Sequence, residues 1–157
     1  MMLKILNNYA EEIISAILLA VMASTAFINV IVRYCSNLSF AWTEELTINL
    51  FVWVVLLGTS GVFRHGGHLG MNLIYNSFPK KIRLLCLILI LICGFAFFSV
   101  LGWYGYLEVI DEIDLEAISE SLGIPVWWYT VSIPLLSILI IFRMLQRFYI
   151  IVRSGKY

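Results

Sequence analysis

The sequence predicts an all-α membrane protein with four transmembrane helices, both termini on the cytoplasmic side, and short helices at the membrane interface. Three observations predict this fold. Hydrophobic residues make up 62% of the 157 residues and charged residues only 13%. The apolar residues fall into long blocks, as helices that cross a bilayer require. Nearly all basic residues lie in segments that such helices would place on one side of the membrane.

Four apolar blocks are each near the length needed to cross about 30 Å of hydrocarbon at ~1.5 Å per residue. They cover residues 13–32, 46–63, 84–107 and 126–142. The first block follows Glu11 and Glu12 and is longer than the apolar core of a typical signal peptide, so we predict a retained helix. Pro134 lies inside the fourth block and is expected to kink that helix by removing one backbone hydrogen bond.

The basic residues predict the orientation of the helices. Nine of the ten Lys and Arg residues precede the first block, separate the second from the third, or follow the fourth, and only Arg33 lies elsewhere. Lys and Arg in short connections stay on the cytoplasmic side, so both termini are predicted to be cytoplasmic. Residues 108–123 then form an outer loop that carries six of the ten carboxylates.

Two further segments are too short and too polar to span the membrane. Residues 37–43, with Phe40 and Trp42, predict a turn or short helix at the outer interface. Residues 69–78 predict an inner interfacial helix that Pro79 stops.

A transport pathway requires polar or ionisable groups near the middle of the membrane. Within the predicted spans the polar side chains are Ser and Thr, together with Asn29 and Asn49 near the span ends. Such residues more often bridge neighbouring helices than bind a solute. We therefore expect the chain alone to contain no solute pathway.

The start of the second helix carries the most distinctive polar residues. Glu44 and Glu45 lie where carboxylates are stabilised by the unpaired amides of a first helical turn. Arg33 ends the preceding helix on the same side, so an ion pair across the connection is expected. Trp42, Glu45 and Asn49 share one helical face by their spacing, and that face is suited to grip a partner.

Small residues predict where helices approach each other closely. Ala16, Ala20 and Ser24 recur every four residues on the first helix, facing either a partner helix or the chain's own bundle. Gly58 and Gly61 permit close approach near the inner end of the second helix.

The sequence indicates no catalytic, metal or cofactor site. His65 and His68 have no third metal ligand nearby, and they do not lie on facing helices as a pair of haem ligands would. Capping and contact with lipid headgroups are the favoured roles. The three cysteines form no C-x-x-C pair.

Several features follow one another in a fixed order along residues 33–73. They are Arg33, then Trp42-Thr43-Glu44-Glu45, an apolar helix reaching Gly58, Arg64, and His68-Leu69-Gly70-Met71-Asn72-Leu73 before a proline and a basic cluster. In this order, and with this spacing, topology and overall length, the chain resembles the small membrane subunit, of the DctQ or SiaQ type, of tripartite ATP-independent periplasmic (TRAP) transporters.

The resemblance implies a Na⁺-coupled importer of organic acids, such as dicarboxylates or sialic acids, in the bacterial cytoplasmic membrane. A large permease subunit would hold substrate and Na⁺, and a periplasmic binding protein would complete the system. This chain would be a fixed, non-enzymatic belt without a cofactor that packs against the large subunit. By the same resemblance, Arg33, Trp42, Glu44, Glu45, Arg64 and His68 are expected to contact a partner or lipid, and Asn49 joins them through its shared helical face.

Two other functional classes are weighed against this one. A redox subunit carrying haem or exchanging disulfides with a quinone requires paired histidines on facing helices or paired outer cysteines, and the sequence supplies neither. A small self-sufficient exporter requires a carboxylate in mid-span, whereas Glu11 and Glu12 lie at the end of the first helix. Nothing in the net charge of zero favours nucleic acid as a partner. The acidic outer loop is a hypothetical docking surface for the binding protein, through Glu112 and Asp114.

Overall fold

Long apolar helices form nearly all of the structure, a computed structural model that describes residues 2–36, 40–65 and 79–154. The helices are α1 (Met2–Ser36), α2 (Ala41–His65), α3 (Lys80–Asp114), α4 (Trp127–Thr130) and α5 (Ser132–Ser154). Within the described residues, four helical stretches are long and apolar enough to cross a membrane: Ala10–Cys35, Ala41–Arg64, Leu85–Asp114 and Trp127–Ile151. The prediction of an all-α protein with four such helices is confirmed. The interfacial helix predicted at 69–78 and residues 37–39 lie outside the described residues.

Helix α3 continues further than its predicted span. It ends at Asp114, so residues 108–114 of the predicted outer loop are helical, and the loop proper begins at Leu115. The amide of Leu115 still donates to the carbonyl of Asp111 at 2.9 Å, and Glu116 then takes a positive φ of 47° that ends the helix. Acidic residues are compatible with a helix that continues into water, because apolarity limits only the part inside the bilayer.

The connection after α3 is a short closed turn. An isolated bridge joins Ile118 to Pro125. Its hydrogen bonds run from the amide of Ser119 to the carbonyl of Ile124 at 2.9 Å, and from the amide of Val126 to the carbonyl of Ala117 at 3.0 Å. Gly123 lies at the tip with a φ of 66°, a conformation that L-residues with a Cβ rarely adopt. The segment is therefore ordered by its own backbone bonds.

The fourth apolar segment is interrupted at Val131, which separates α4 from α5. Pro134 has no N–H to donate to the carbonyl of Thr130, and its ring crowds that carbonyl. The amide of Leu135 reaches the carbonyl of Val131 only at 3.4 Å. The helix is thus irregular one turn before Pro134, where the backbone hydrogen bond to Thr130 is missing.

The long helices pack in a row, in the order α1, α2, α5, α3, because α1 packs chiefly on α2, α2 on α5, and α5 on α3. Buried side chains concentrate on the central pair and on the neighbouring face of α3: Leu56, Leu57, Phe63, Phe98, Leu136, Ile140 and Met144. No part of the most apolar window of α1 is buried within the described chain. A row leaves two broad apolar faces, where a closed four-helix bundle would hide them.

Glycines allow α3 and α5 to approach closely. A Cβ added at Gly105 would lie 2.6 Å from Cγ2 of Ile133, and one at Gly102 would lie 3.2 Å from Cβ of Ser137. A Cβ at Gly94 would lie 2.9 Å from the sulfur of Met144. These three positions on one side of α3 allow tight packing against α5, as small residues do in membrane bundles.

The small residues predicted to mediate contact are placed differently. Gly61 lies against the side chain of Glu12, whereas Gly58 has open space around it. Ala16, Ala20 and Ser24 are exposed, on the side of α1 that faces away from α2. Of the two alternatives for that face, packing within the chain's own bundle is not seen among the residues that the structure describes.

Candidate functional site

A buried ion pair joins three helices at the end of the protein that is rich in basic residues. Glu11 of α1 is only 7% exposed. The Nε and Nη2 atoms of Arg143, on α5, donate to Oε1 of Glu11 at 2.8 Å and 2.7 Å. The hydroxyl of Ser60, on α2, donates to Oε2 of Glu11 at 3.0 Å. Both carboxylate oxygens are therefore satisfied.

The partners of this ion pair are themselves held in place. Nη1 of Arg143 donates to Oε1 of Gln146, one turn further along α5, at 3.1 Å. Ser60 is fully buried. A charge removed from water must be paired and hydrogen-bonded to be tolerated, and here one carboxylate meets both requirements through two other helices. The arrangement fixes the relative height of α1, α2 and α5.

The opposite end of the protein has its own polar contacts. Glu45 of α2 accepts a hydrogen bond from the hydroxyl of Ser121 in the turn after α3. The hydroxyl of Thr130 donates to Oε1 of Glu112 at 2.8 Å, which connects α4 to the end of α3. The amide of Phe40 donates to Oδ1 of Asn29 at 3.2 Å, which fixes the approach to α2. These bonds attach the turn after α3 and the start of α2 to the bundle.

The predicted ion pair between Arg33 and the carboxylates of α2 does not form, although all of these residues are described. Arg33 and Glu44 are exposed, and Glu45 is instead hydrogen-bonded to Ser121 in the turn after α3. The reason is geometric, since Glu45 points toward the turn after α3 and so away from the end of α1. Trp42, Glu45 and Asn49 are all half-buried.

Glu44 also borders a groove between α1 and α2. The groove has a volume of about 450 Å³ and is lined by Ala26, Asn29, Val30, Thr43, Glu44, Thr47 and Ile48. Arg64 lies at the other end of α2, beside Arg143 and Arg147. The predicted residues are therefore not one site, because they divide between the two ends of the bundle. His68 lies outside the described residues.

Sequence reasoning missed the three residues of the best-defined polar site. Glu11 was considered as the flank of an apolar block and as a carboxylate too near the end of the first helix for an exporter. Its pairing was not predicted, and Arg143 and Ser60 were not singled out. A signal was present, because Glu11 and Arg143 have opposite charges and lie at span ends that the predicted topology places on the same side. Within the described residues no group of three His, Cys, Asp or Glu side chains could hold a metal ion.

The geometry suits packing, because the polar groups Glu11, Arg143 and Ser60 bond one another between the helices.

Comparison with known proteins gives the family. The profile of the family described as "Tripartite ATP-independent periplasmic transporters, DctQ component" matches residues 13–154, which is most of the chain.

Relatives carry three different solute names. The C4-dicarboxylate TRAP transporter small permease protein DctQ of Vibrio cholerae is 37% identical over 61% of this chain and 42% of its own length. The ectoine TRAP transporter small permease protein TeaB of Halomonas elongata is 30% identical over 80% of this chain and 65% of its own. The sialic acid TRAP transporter permease protein SiaT of Haemophilus influenzae is 29% identical over 95% of this chain and 24% of its own.

The chain spans about half the length of the dicarboxylate relatives that it matches. The family match, in contrast, covers all four apolar helices. The chain therefore belongs to the DctQ component family of TRAP transporters.

Proposed function

We propose that this chain is a fixed, non-transporting subunit that packs against the large permease subunit of a TRAP transporter. In this role it supports Na⁺-coupled, binding-protein-dependent uptake of an organic acid of the dicarboxylate or sialic acid class. Substrate and Na⁺ bind to the large subunit, and this chain widens and anchors that subunit in the membrane.

One observation carries the proposal: the helices form a row whose flanks are apolar, and the buried carboxylate of Glu11 is paired with Arg143 inside the chain. Phe27 on α1 and Phe97 on α3 are 66% and 61% exposed. A pathway for an organic anion requires polar groups that face a cavity near mid-membrane, whereas Glu11 and Arg143 bond each other at one end of the helices. Broad apolar flanks suit contact with lipid and with other transmembrane helices.

The relatives support the same role. In the Haemophilus influenzae protein SiaT, the region similar to this chain is 24% of one longer permease polypeptide. A covalent connection in that protein is compatible with a stable contact between separate subunits here. Relatives named for a dicarboxylate, for ectoine and for sialic acid share this subunit type. Such variety is expected of a subunit that does not bind the solute.

The proposed orientation places both termini in the cytoplasm. The end with Glu11, Arg64 and Arg143 is then cytoplasmic, and the turn after α3 faces the periplasm, as the distribution of Lys and Arg favours. Cysteine substitution tests this orientation. In a variant whose three native cysteines are replaced by serine, Glu120→Cys should react with an impermeant maleimide in intact cells, and Arg153→Cys should react only after lysis, while the reverse would invert the topology.

The end of α3 and the turn after it are proposed to contact the binding protein. The test must avoid Glu112, since its carboxylate accepts a hydrogen bond from Thr130. Asp114 and Glu116 are exposed, and changing them leaves the hydrogen bond between Thr130 and Glu112 in place. Reversing both charges with lysine should lower binding-protein-dependent uptake while the complex still assembles, and unchanged uptake would reject this contact.

Co-purification tests the central part of the proposal. Tagged full chain, extracted in mild detergent from its native membrane, should retain a large multi-span permease in a stoichiometric complex. Recovery of the chain alone, under conditions that preserve other membrane complexes, would contradict the accessory role. A tagged unrelated membrane protein of the same cell provides the control.

A further inference from the structure

A small basic pocket lies beside the ion pair between Glu11 and Arg143. It has a volume of about 210 Å³ and is lined by Arg64, Arg143, Gln146, Arg147 and Ile150. Three of these five residues are arginines, contributed by α2 and α5. Among the described lining residues there is no carboxylate.

Arg143 and Arg147 differ in whether their guanidinium nitrogens have hydrogen-bond partners. Arg143 donates from Nε and Nη2 to Glu11 and from Nη1 to Gln146. Arg147, one turn further along α5, is half-buried, and its Nε is buried with no hydrogen-bond partner in the described part of the chain. A buried donor without a partner is costly, and native proteins usually satisfy such a donor with a protein group, a water or a ligand.

The charge around the pocket favours an anion. Glu11 compensates one arginine, and Glu12 lies against Gly61, one turn before Arg64 on α2. Among the described residues of the pocket and these two neighbours, the arginines therefore outnumber the carboxylates by one. Arginine is the side chain whose planar fork best matches a phosphate group, through two parallel hydrogen bonds.

Size and position narrow the class of ligand. Pockets for drug-sized molecules are usually about 300–1,000 Å³, so this smaller pocket suits one compact group. Arg64 and Arg143 directly follow the predicted spans 46–63 and 126–142, which places the pocket at the level of the lipid headgroups. Ile150 provides an apolar wall on one side. Basic pockets between transmembrane helices on the cytoplasmic side are suited to anionic headgroups.

We infer that this pocket binds a phosphate group through Arg147 and its neighbours, and its place in the membrane favours the headgroup of an anionic phospholipid as the source. Free inorganic phosphate is the other source of the same chemistry. The inference concerns a ligand of this chain alone and does not rest on the proposed role in transport.

Native mass spectrometry and thermal unfolding of the purified full chain test the inference. Phosphatidylglycerol, phosphatidylcholine and inorganic phosphate are added separately. Wild-type protein should retain one phosphatidylglycerol and unfold at a higher temperature with it, while phosphatidylcholine should do neither. Arg147→Gln should weaken retention of phosphatidylglycerol roughly tenfold or more. The matched control is Arg153→Gln, an exposed arginine of the same helix, which should change retention less than about twofold.

Each outcome decides a specific point. Stabilisation by inorganic phosphate that equals that by phosphatidylglycerol and is lost in Arg147→Gln supports the site with phosphate as its source. Equal retention of phosphatidylcholine, or equal losses in Arg147→Gln and Arg153→Gln, overturns the inference. If Arg147→Gln does not fold, Arg147→Lys serves, because it keeps the charge but loses the fork. It should retain phosphatidylglycerol more weakly than wild type, and unchanged retention would overturn the assignment to Arg147.

Discussion

At the scale of single residues, the sequence predicts where Glu11, Ser60 and Arg143 lie along the helices but not that they contact one another. Their positions near helix ends follow from the four apolar blocks, and the topology places Glu11 and Arg143 on the same side. Their mutual contact does not follow, because it depends on the order in which the helices pack, and the pair is separated by 132 residues. The ion pair expected between Arg33 and Glu44 or Glu45 was wrong for the same reason, since proximity along the chain does not determine where a side chain points.

Removing the carboxylate of Glu11 should destabilise the protein. Glu11→Gln leaves Arg143 without its charged partner, and breaking a buried pair costs about 3–5 kcal/mol. The Arg143 side chain is 21% exposed, so partial hydration should bring the loss down to about 1–3 kcal/mol. The midpoint of thermal unfolding in detergent measures the effect.

The exposed Glu44 provides the control for Glu11. Glu44→Gln should change the midpoint little. Adding Arg143→Met to Glu11→Gln should recover part of the loss, because the second change removes the unpaired charge. Equal midpoints for Glu11→Gln and Glu44→Gln would show that the ion pair contributes nothing to stability.

The hydroxyl of Ser121 should hold the turn after α3 against α2. Ser121→Ala removes the donor to Glu45 while the bridge between Ile118 and Pro125 remains. Amide hydrogen exchange in residues 115–124 should accelerate severalfold, with little change in α5. Glu120→Gln, at an exposed neighbouring position, is the control, and equal exchange in the two variants would argue against this contact.

The existence of the long helices was predictable, whereas their exact ends and contact faces were not. Apolarity marks the part of α3 inside the bilayer, but the acidic residues that follow it remain helical to Asp114. Likewise Gly61 lies against Glu12 of α1, whereas Gly58 has open space around it. The glycines that lie against α5 were not predicted, and they are Gly94, Gly102 and Gly105. Small residues indicate that helices can approach, and packing order determines which of them do so.

Two glycine substitutions test whether Gly105 lies in the contact between α3 and α5 and whether Gly58 lies in open space. Gly105→Ala adds a Cβ that would lie 2.6 Å from Ile133 and 3.3 Å from Cδ of Pro134, so it should cost about 1–3 kcal/mol of stability. Gly58→Ala meets nothing within 4 Å and should be neutral or stabilising by up to about 1 kcal/mol, because alanine favours the helix. Thermal unfolding of both variants measures the contrast, and equal effects would contradict the packing of α3 on α5.

At the scale of the whole molecule, the row of helices connects the fold to the proposed role. Composition and the four blocks predicted a membrane protein, and the order of motifs predicted the family, which the family match confirms. The row itself was not predictable, because hydropathy gives the number of helices but not their neighbours. It leaves α1 with one flank on α2 and the small residues Ala16, Ala20 and Ser24 facing outward.

A bulky residue on that outward face should interfere with a partner helix. Ala20→Trp should reduce co-purification of the large permease severalfold while the isolated chain keeps its unfolding midpoint, because a small-residue face allows close approach. Leu89→Trp, at a 59% exposed position on α3, is the matched change on the other flank. Undiminished co-purification with Ala20→Trp, beside a loss with Leu89→Trp, would assign the contact to α3.

Reconstitution into proteoliposomes tests the central claim most directly. With an inward Na⁺ gradient, the large permease and this chain together should take up organic acid that is presented by the binding protein. This chain alone, in the same liposomes and with the same binding protein, should take up none above the level of empty liposomes. Na⁺-dependent uptake by this chain alone would contradict the account.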